Sequence, residues 1–347
     1  MSAKLRHMRG AIFVVVSVAA SSALAHTPSR PEAFSVGLRS AEHASGAVIE
    51  LRASPSGTVL LPASTFVMGS DIAEITLAAL QCQREPWGRL GDEDDRFCEL
   101  KHFATEIGEH KVTLSAFTID RTEVTVLAFD RCVGAGVCNP PGFRRGDPRF
   151  DRANFPVTMV SWSDGADYCR WVGGALPTEA QWEYAARGIE QRRYPWGNVW
   201  NGSIANHGSL ADDPTDASDG YAWVAPVGSF PEGATPTGIQ DLAGNVEEWV
   251  QDRMDIDQAI YKRNNTAIAL PYLQAAVTNP IATTGLGRRA RGGSFIRAAH
   301  QLRATARFAS LDTTRSEDTG FRCVYGSVTP TEASNIKLTT PLPTGDD

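Results

Sequence analysis

Residues 176–188 read Leu-Pro-Thr-Glu-Ala-Gln-Trp-Glu-Tyr-Ala-Ala-Arg-Gly. This stretch predicts a helix from Thr178 to Arg187, because a Thr cap followed three residues later by Gln181 forms a capping box. A second helix is predicted from Ser163 to Val172, capped by Ser163 or Asp164. Around these helices we expect short strands and long loops.

The predicted strands lie in the first third of the chain. Residues 57–68 are predicted to form a hairpin, and the alternation from Lys111 to Ile119 predicts one strand. A further helix is predicted from Glu123 to Cys132, whereas residues 188–245 are too rich in Gly, Asn, Asp and Pro to be anything but mostly loop.

Other short motifs follow one another in a fixed order on both sides of the opening stretch. They are Phe66-Val67-Met68-Gly69-Ser70, Glu123-Val124-Thr125, Val160-Ser161-Trp162, Tyr194-Pro195-Trp196-Gly197, Asp241-Leu242-Ala243-Gly244-Asn245-Val246, Glu248-Trp249, Arg291-Gly292-Gly293-Ser294-Phe295 and Gly320-Phe321-Arg322-Cys323. Each motif alone is weak evidence, but the ordered series from about residue 57 to 326 resembles the formylglycine-generating enzyme (sulfatase-modifying factor) family. The resemblance implies a single loop-rich α+β domain, related to C-type lectins, with little regular secondary structure.

Composition agrees with such a fold and excludes some partners. The chain has 31 Gly, 20 Pro and 8 Trp, which suits irregular backbone with aromatic anchors. Its net charge of −7 argues against nucleic acid or an anionic membrane surface as a partner. We expect a monomer.

The N-terminus has the features of an export signal. Basic Lys4, Arg6 and Arg9 precede a short apolar run at residues 11–20, and an Ala-x-Ala cleavage site ends at Ala25. An uncleaved anchor is the alternative, but the run is short for a membrane span. We therefore predict a signal peptide at 1–25, a polar leader at 26–56, the folded domain at 57–326 and a disordered tail at 327–347. The protein would be periplasmic or secreted.

Export makes disulfides the expected state of the six cysteines. Cys132 and Cys138 flank a short Gly-rich turn, and Cys82 and Cys98 bracket a loop-like stretch, which leaves Cys169 to pair with Cys323. A free catalytic thiol is the alternative, and it would leave one cysteine unpaired. The resemblance independently implies the Cys169–Cys323 bond.

The resemblance also implies two structural calcium sites. The first falls on Asn206, the His207 carbonyl, Asp219 and the Tyr221 carbonyl. The second falls on Asp241, the Gly244 and Val246 carbonyls, and Glu248, with Asp241 standing where the family usually has Asn. Such carboxylate, amide and carbonyl oxygens suit Ca²⁺. Polar loops held by hydrogen bonds are the alternative, and we favour calcium because a fold with so little regular structure benefits from internal cross-links.

The residues needed for the family's chemistry are missing. The family enzyme uses copper, held by two cysteine thiolates five residues apart after the Gly-Gly-Ser motif, to oxidise a substrate cysteine. In this chain Arg297 and Leu302 stand at those positions, and neither binds Cu(I). Copper is therefore not expected, and only Ser294 remains from the active-site set.

Three functions remain open. The first is a binding module that presents a groove of Ser294, Arg297, His300, Glu247 and Trp249 to a peptide, a glycan or an exported protein. The second is a divergent oxidoreductase acting on an exported peptide or a siderophore. The third, a true formylglycine-generating oxidase, conflicts with Arg297 and Leu302. Arg297, His300 and Glu247 have a plainer interpretation as a solvated surface or an ion pair.

Overall fold

Among the residues that the structure describes, four short α-helices and ten strands form most of the regular secondary structure. A computed structural model describes residues 57–84, 98–209, 216–254 and 276–326, all within the compact unit Glu50–Asp347. The predicted signal peptide, leader and tail lie outside the described residues. The helices are α1 (Ile72–Cys82), α2 (Val126–Gly134), α3 (Trp162–Trp171) and α4 (Glu179–Arg187). The strands are β1 (Thr58–Leu61), β2 (Ser64–Met68), β3 (His110–Leu114), β4 (Phe117–Asp120), β5 (Glu247–Met254), β6 (Val277–Thr278), β7 (Gly287–Arg291), β8 (Phe308–Leu311), β9 (Thr319–Gly320) and β10 (Val324–Tyr325).

Local capping chemistry determines where α4 and α3 begin. Helix α4 starts after Thr178, whose hydroxyl accepts the Gln181 N–H while the Gln181 side chain accepts the Thr178 N–H, as predicted. In α3 the predicted cap was wrong. Ser161 is the cap, and Asp164 completes the capping box from the third helical position. The helix starts earlier because Ser161 and Asp164 satisfy each other's backbone N–H groups.

The predicted hairpin at residues 57–68 is also wrong. Strand β1 pairs antiparallel with β4, and β2 pairs antiparallel with β3, so β1 and β2 lie in different sheets. The two residues between them are Pro62 and Ala63, which lack the positive-φ preference that two-residue hairpin turns need. The predicted strand at Lys111–Ile119 is likewise two strands, β3 and β4, separated at Ser115 and Ala116.

Three small sheets carry the fold. Their strand orders are β1-β4-β10, β2-β3-β6 and β8-β7-β5-β9. In the third sheet β9 runs parallel to β5, with Glu247 opposite Thr319. This pairing brings Thr319 and Gly320 beside the start of β5. The α+β, loop-rich fold class is confirmed.

Buried tryptophans connect the helices to the third sheet. Trp182 of α4 is fully buried, and its indole N–H donates to Glu248 at 2.9 Å. Trp249 is buried as well and donates to the Val160 carbonyl at 3.0 Å. Both indoles bury a large apolar surface and still have a hydrogen-bond partner, which stabilises the junction of helix and strand.

All six cysteines form the expected pairs: Cys82–Cys98, Cys132–Cys138 and Cys169–Cys323. No free cysteine remains. Among the described residues no helix is long and apolar enough to cross a membrane.

We predict that the longest-range and the shortest-range disulfides stabilise the fold by very different amounts. Cys169–Cys323 closes a separation of 154 residues and Cys132–Cys138 one of only 6. In the chain-entropy model these values correspond to about 5 and about 2 kcal/mol. Paired Cys→Ala variants of each bond, compared by urea unfolding, should show that ranking. An equal loss in both variants would contradict it.

Candidate functional site

A group of charged side chains lies at the start of β5. Arg297 donates from Nε to Glu247 Oε1 at 2.9 Å, and its Nη2 lies 3.9 Å from Asp318 Oδ2. The Arg297 side chain is 27% exposed, whereas the Glu247 and Asp318 side chains are each 8% exposed. Two largely buried carboxylates therefore share one partly exposed guanidinium, which we call the charged triad.

Backbone pairing positions the triad. The Glu247 N–H donates to the Asp318 carbonyl at 2.8 Å, and Gly208 N–H donates to the Arg297 carbonyl at 2.9 Å. Ser294 donates its hydroxyl to Asp318 at 3.0 Å, and Ser316 also donates to Asp318. The carboxylate of Asp318 is thus held by hydroxyl groups from two sides.

Burial strongly changes the acidity of Glu247. Desolvation raises the pKa of Glu247 to about 7, and the neighbouring Asp318 adds to the rise, while Arg297 opposes it. A carboxyl that titrates near neutral pH, next to a partly exposed cation, is able to accept or donate a proton.

The other predicted groove residues lie in the interior. Trp249 is buried against the Val160 carbonyl, as described above. His300 is buried edge-on against Phe103, with ring centroids 5.9 Å apart, and burial lowers its pKa to about 3, with Arg303 adding to the effect. The structure therefore brings Ser294, Arg297 and Glu247 together, with Asp318 as a fourth member.

Leu302 occupies a purely apolar environment. It is fully buried in a cluster with Tyr194, Ala205 and Ala243, and Trp196 packs against that cluster. A Cβ at Gly293 would lie only 3.0 Å from a Leu302 methyl group, so the backbone approaches this side chain closely. Neither Leu302 nor the ion-paired Arg297 supplies a ligand for a soft metal.

The first predicted calcium loop is folded around Asp219. This carboxylate accepts the N–H groups of His207 at 2.6 Å and Tyr221 at 2.8 Å, and burial raises its pKa. Asn206 donates from its side chain to Trp223 O and Asn245 Oδ1, both at 3.0 Å. Its own Oδ1 is buried and has no hydrogen-bond partner among the described residues.

An acidic side chain that sequence reasoning missed, Glu123, contacts the second predicted calcium loop through Asn245. Burial raises the pKa of Glu123 well above its usual value, and nearby Asp241 and Glu248 raise it further against the effect of Arg322. Glu123 Oε1 accepts from Asn245 at 3.0 Å, and the Glu123 carboxyl also forms a side-chain hydrogen bond with Asp241. Asp241 accepts the Gly228 N–H at 2.6 Å, and burial raises its pKa too.

Glu248 is the predicted ligand most fully engaged by protein groups. Its two oxygens accept from Nη2 and Nε of Arg322, each at 2.7 Å, in addition to Trp182. Two buried carboxylates, Glu123 and Glu248, and the partly buried Asp241 thus lie around one buried arginine, Arg322.

A cavity of about 10 Å³ lies between the two loops. Asn206, Asp241 and Asn245 supply its polar lining. This volume is at the lower limit for one water-sized sphere. Within the described residues, no three His, Cys, Asp or Glu side chains are arranged as a metal site. A cation there would therefore depend on amide and carbonyl oxygens as well as carboxylates.

Comparison with known proteins gives this arrangement a family context. The pattern of the Sulfatase-modifying factor enzyme 1-like domain matches residues 47–326. The formylglycine-generating enzyme of Thermomonospora curvata is 36% identical over 194 residues, which is 51% of this chain and 58% of that protein. The inactive C-alpha-formylglycine-generating enzyme 2 of Bos taurus is 34% identical over 187 residues, covering 52% of this chain and 53% of that protein. The matches span less than two thirds of these relatives.

Solved structures resemble the whole fold. PvdO from Pseudomonas aeruginosa aligns with a TM-score of 0.53 at 24% identity, covering 77% of this chain and 93% of that one. Treponema denticola variable protein 1 aligns with a TM-score of 0.52 at 19% identity, covering 77% and 94%. At these identities the likeness establishes the fold alone.

We predict that Glu247 makes stability depend on pH. Its pKa in the folded protein is about 7, against a usual value of 4.5, so between these values the folded state holds a proton that the unfolded state has lost. The free energy of unfolding should therefore fall as pH rises from about 4.5 to about 7. Glu247→Gln should flatten this part of the profile, as measured by urea unfolding at several pH values.

The matched control is Glu317→Gln, which changes an exposed carboxylate close in sequence to the triad. This variant should keep the wild-type profile. If Glu247→Gln and the wild type gave parallel profiles, the buried, proton-holding state of Glu247 would be contradicted.

Proposed function

As the chain belongs to the sulfatase-modifying factor family, we propose that it is an exported, calcium-stabilised binding module without copper-dependent formylglycine chemistry. The observation that carries the proposal is the state of the two positions implied for copper. Arg297 forms an ion pair with Glu247, and Leu302 is sealed in an apolar cluster.

Copper does not fit this site. Cu(I) needs soft sulfur ligands, and all six cysteines are in disulfides. Removing Arg297 from Glu247 would leave a buried carboxylate without its cation, which is costly. The bovine relative that is named inactive supports the idea that this fold exists without the activity.

The charged triad supports binding of a polar ligand. Arg297 faces solvent in part, and its guanidinium offers several N–H donors in a fixed plane. Glu247 and Asp318 hold that plane in one orientation, so little side-chain entropy is lost when a ligand binds. We propose a peptide, a glycan or an exported protein as the ligand, recognised through its carbonyl, carboxylate or hydroxyl oxygens.

Calcium is supported by the unbalanced charge between the loops. Buried Glu123 and Glu248 and the partly buried Asp241 lie around one arginine, Arg322, and desolvation raises the pKa of each carboxyl. The Oδ1 atom of Asn206, which is buried and has no hydrogen-bond partner among the described residues, also fits a hard cation. Bound Ca²⁺ would replace the missing positive charge and fix the loops, and we assign it no catalytic role.

Export is supported by the disulfides and by the sequence of residues 1–25. Three disulfides are typical of an oxidising compartment. We therefore propose a periplasmic or secreted location for the mature chain.

One observation favours a second function, a divergent enzyme of the same family. Glu247 has a pKa near 7 and lies at the partly open triad, which is where a general base is useful. The binding module remains the preferred proposal because the triad supplies no redox group for the oxidation of an exported peptide or siderophore.

We predict that calcium removal lowers thermal stability. At a free Ca²⁺ concentration a hundred times the Kd, binding at one site raises the free energy of unfolding by about 2.7 kcal/mol. Chelation with EGTA should lower the Tm, and Ca²⁺ but not Mg²⁺ should restore it. Asp219→Ala and Asp241→Ala should each lose part of the response, whereas Asp216→Ala, in the same loop, should not. A Tm unaffected by EGTA would refute the calcium proposal.

We predict that the protein does not convert a cysteine-containing sulfatase peptide, even with copper supplied. Mass spectrometry should show that the cysteine of the peptide is not converted to the aldehyde formylglycine. A catalytically active formylglycine-generating enzyme, assayed beside it, gives the expected product. Formylglycine above background in the sample with this protein would mean that the proposed function is wrong.

A further inference from the structure

A second cavity lies between α3 and β5, away from the charged triad. Its volume is about 140 Å³, and it is lined by Trp162, Ala166, Arg170, Gly174, Ala175, Leu176 and Gln251. Gln251 is four residues beyond Glu247 on β5, which is about 13 Å along a strand. The residues that line the cavity include no member of the triad and no residue of the two predicted calcium sites.

The aromatic wall of this cavity is held in place from two directions. The indole N–H of Trp162 donates to the Val250 carbonyl at 2.8 Å. The Arg288 guanidinium lies over the Trp162 ring, 3.4 Å from its centroid, and Arg288 also donates to the Gln251 carbonyl at 2.7 Å. Because the hydrogen bond fixes the edge of the indole and Arg288 covers one face, the Trp162 side chain is preorganised for a ligand.

The rest of the lining is small and apolar, with polar groups at two points. Gln251 donates from Nε2 to the Leu176 carbonyl at 2.5 Å, which fixes its amide at the cavity wall. Arg170 is 67% exposed and donates to Asp167 at 2.6 Å. An exposed ion pair of this kind is weak, so the guanidinium has donors to offer a second anion.

We propose that this cavity binds a small aromatic carboxylate. A cavity of about 150 Å³ accepts a benzene molecule, so a volume of about 140 Å³ suits one aromatic ring. The ring would lie against Trp162, Ala166 and Leu176. Its carboxylate would meet Arg170 through charge-assisted hydrogen bonds. This proposal does not depend on the proposed function of the charged triad.

The test is a titration of the purified protein with phenylacetate. Binding is measured by calorimetry and by the chemical shift of the Trp162 indole N–H in NMR spectra. Phenylacetate should bind saturably at one site and shift that resonance. Acetate lacks the ring and phenethylamine carries the opposite charge, so neither should bind. Absence of saturable phenylacetate binding, or equal binding of phenethylamine, would overturn the proposal.

Two variants and a matched control locate the site. Ala166→Leu should abolish binding, because the added methyl groups fill the cavity. Arg170→Gln should weaken binding by about fivefold, the scale of an exposed charge pair. Arg144→Gln, at an exposed arginine elsewhere, should leave binding unchanged. Circular dichroism checks that each variant folds. If Ala166→Leu does not fold, the affinity of Arg170→Gln for phenylacetate is the test of the site. Wild-type affinity in Arg170→Gln would contradict the assigned carboxylate contact.

Discussion

The bidentate pair between Arg322 and Glu248 is the interaction on which the arrangement of the loops depends. Arg322 is fully buried, and besides Glu248 its guanidinium donates to the carbonyls of Asp120, Arg121 and Gln240. A chain with so little regular structure leaves many buried carbonyls without ladder partners. One planar group with five N–H donors satisfies three of them and ties together segments that are distant in sequence.

Other buried arginines repeat this solution. Arg291 donates to the carbonyls of Thr305, Ala304 and Ala306 and pairs with Glu183. Arg303 forms a two-bond pair with Glu106 and donates to the His300 carbonyl. Because each such arginine is paired, loss of either partner would leave an uncompensated buried charge. The charged triad is a more exposed version of the same chemistry than the pairs of Arg322, Arg291 and Arg303, and this exposure makes it available to a ligand.

Local patterns in the sequence were sufficient for some parts of the structure. The capping box of α4 and the Cys82–Cys98 and Cys132–Cys138 disulfides depend on residues close in sequence. Cys169–Cys323 followed as the remaining pair and from the family resemblance, and the ordered motifs predicted the fold class. Strand partners depend on contacts far apart in sequence, which is why the predicted hairpin at 57–68 fails. Asp318 and Glu123 were missed for the same reason. Asp318 reaches Glu247 only through the parallel pairing of β9 with β5, and Glu123 reaches Asn245 across 122 residues.

By contrast, the sequence alone shows that Arg297 and Leu302 replace the two copper-binding cysteines that the family resemblance implies. The structure adds the contacts that each of these two side chains makes. Arg297 neutralises carboxylates where the family enzyme is expected to hold copper, and Leu302 completes an apolar cluster. Arg297 and Leu302 therefore each fit the charge and the polarity of their surroundings.

Elemental analysis of the purified mature protein, before and after chelation, tests the central claim most directly. The account predicts about two calcium ions per chain, as expected for two oxygen-rich loop sites, and neither copper nor iron. Stoichiometric copper or iron that survives chelation would contradict it, because a redox metal would then be bound by residues to which we assign no such role.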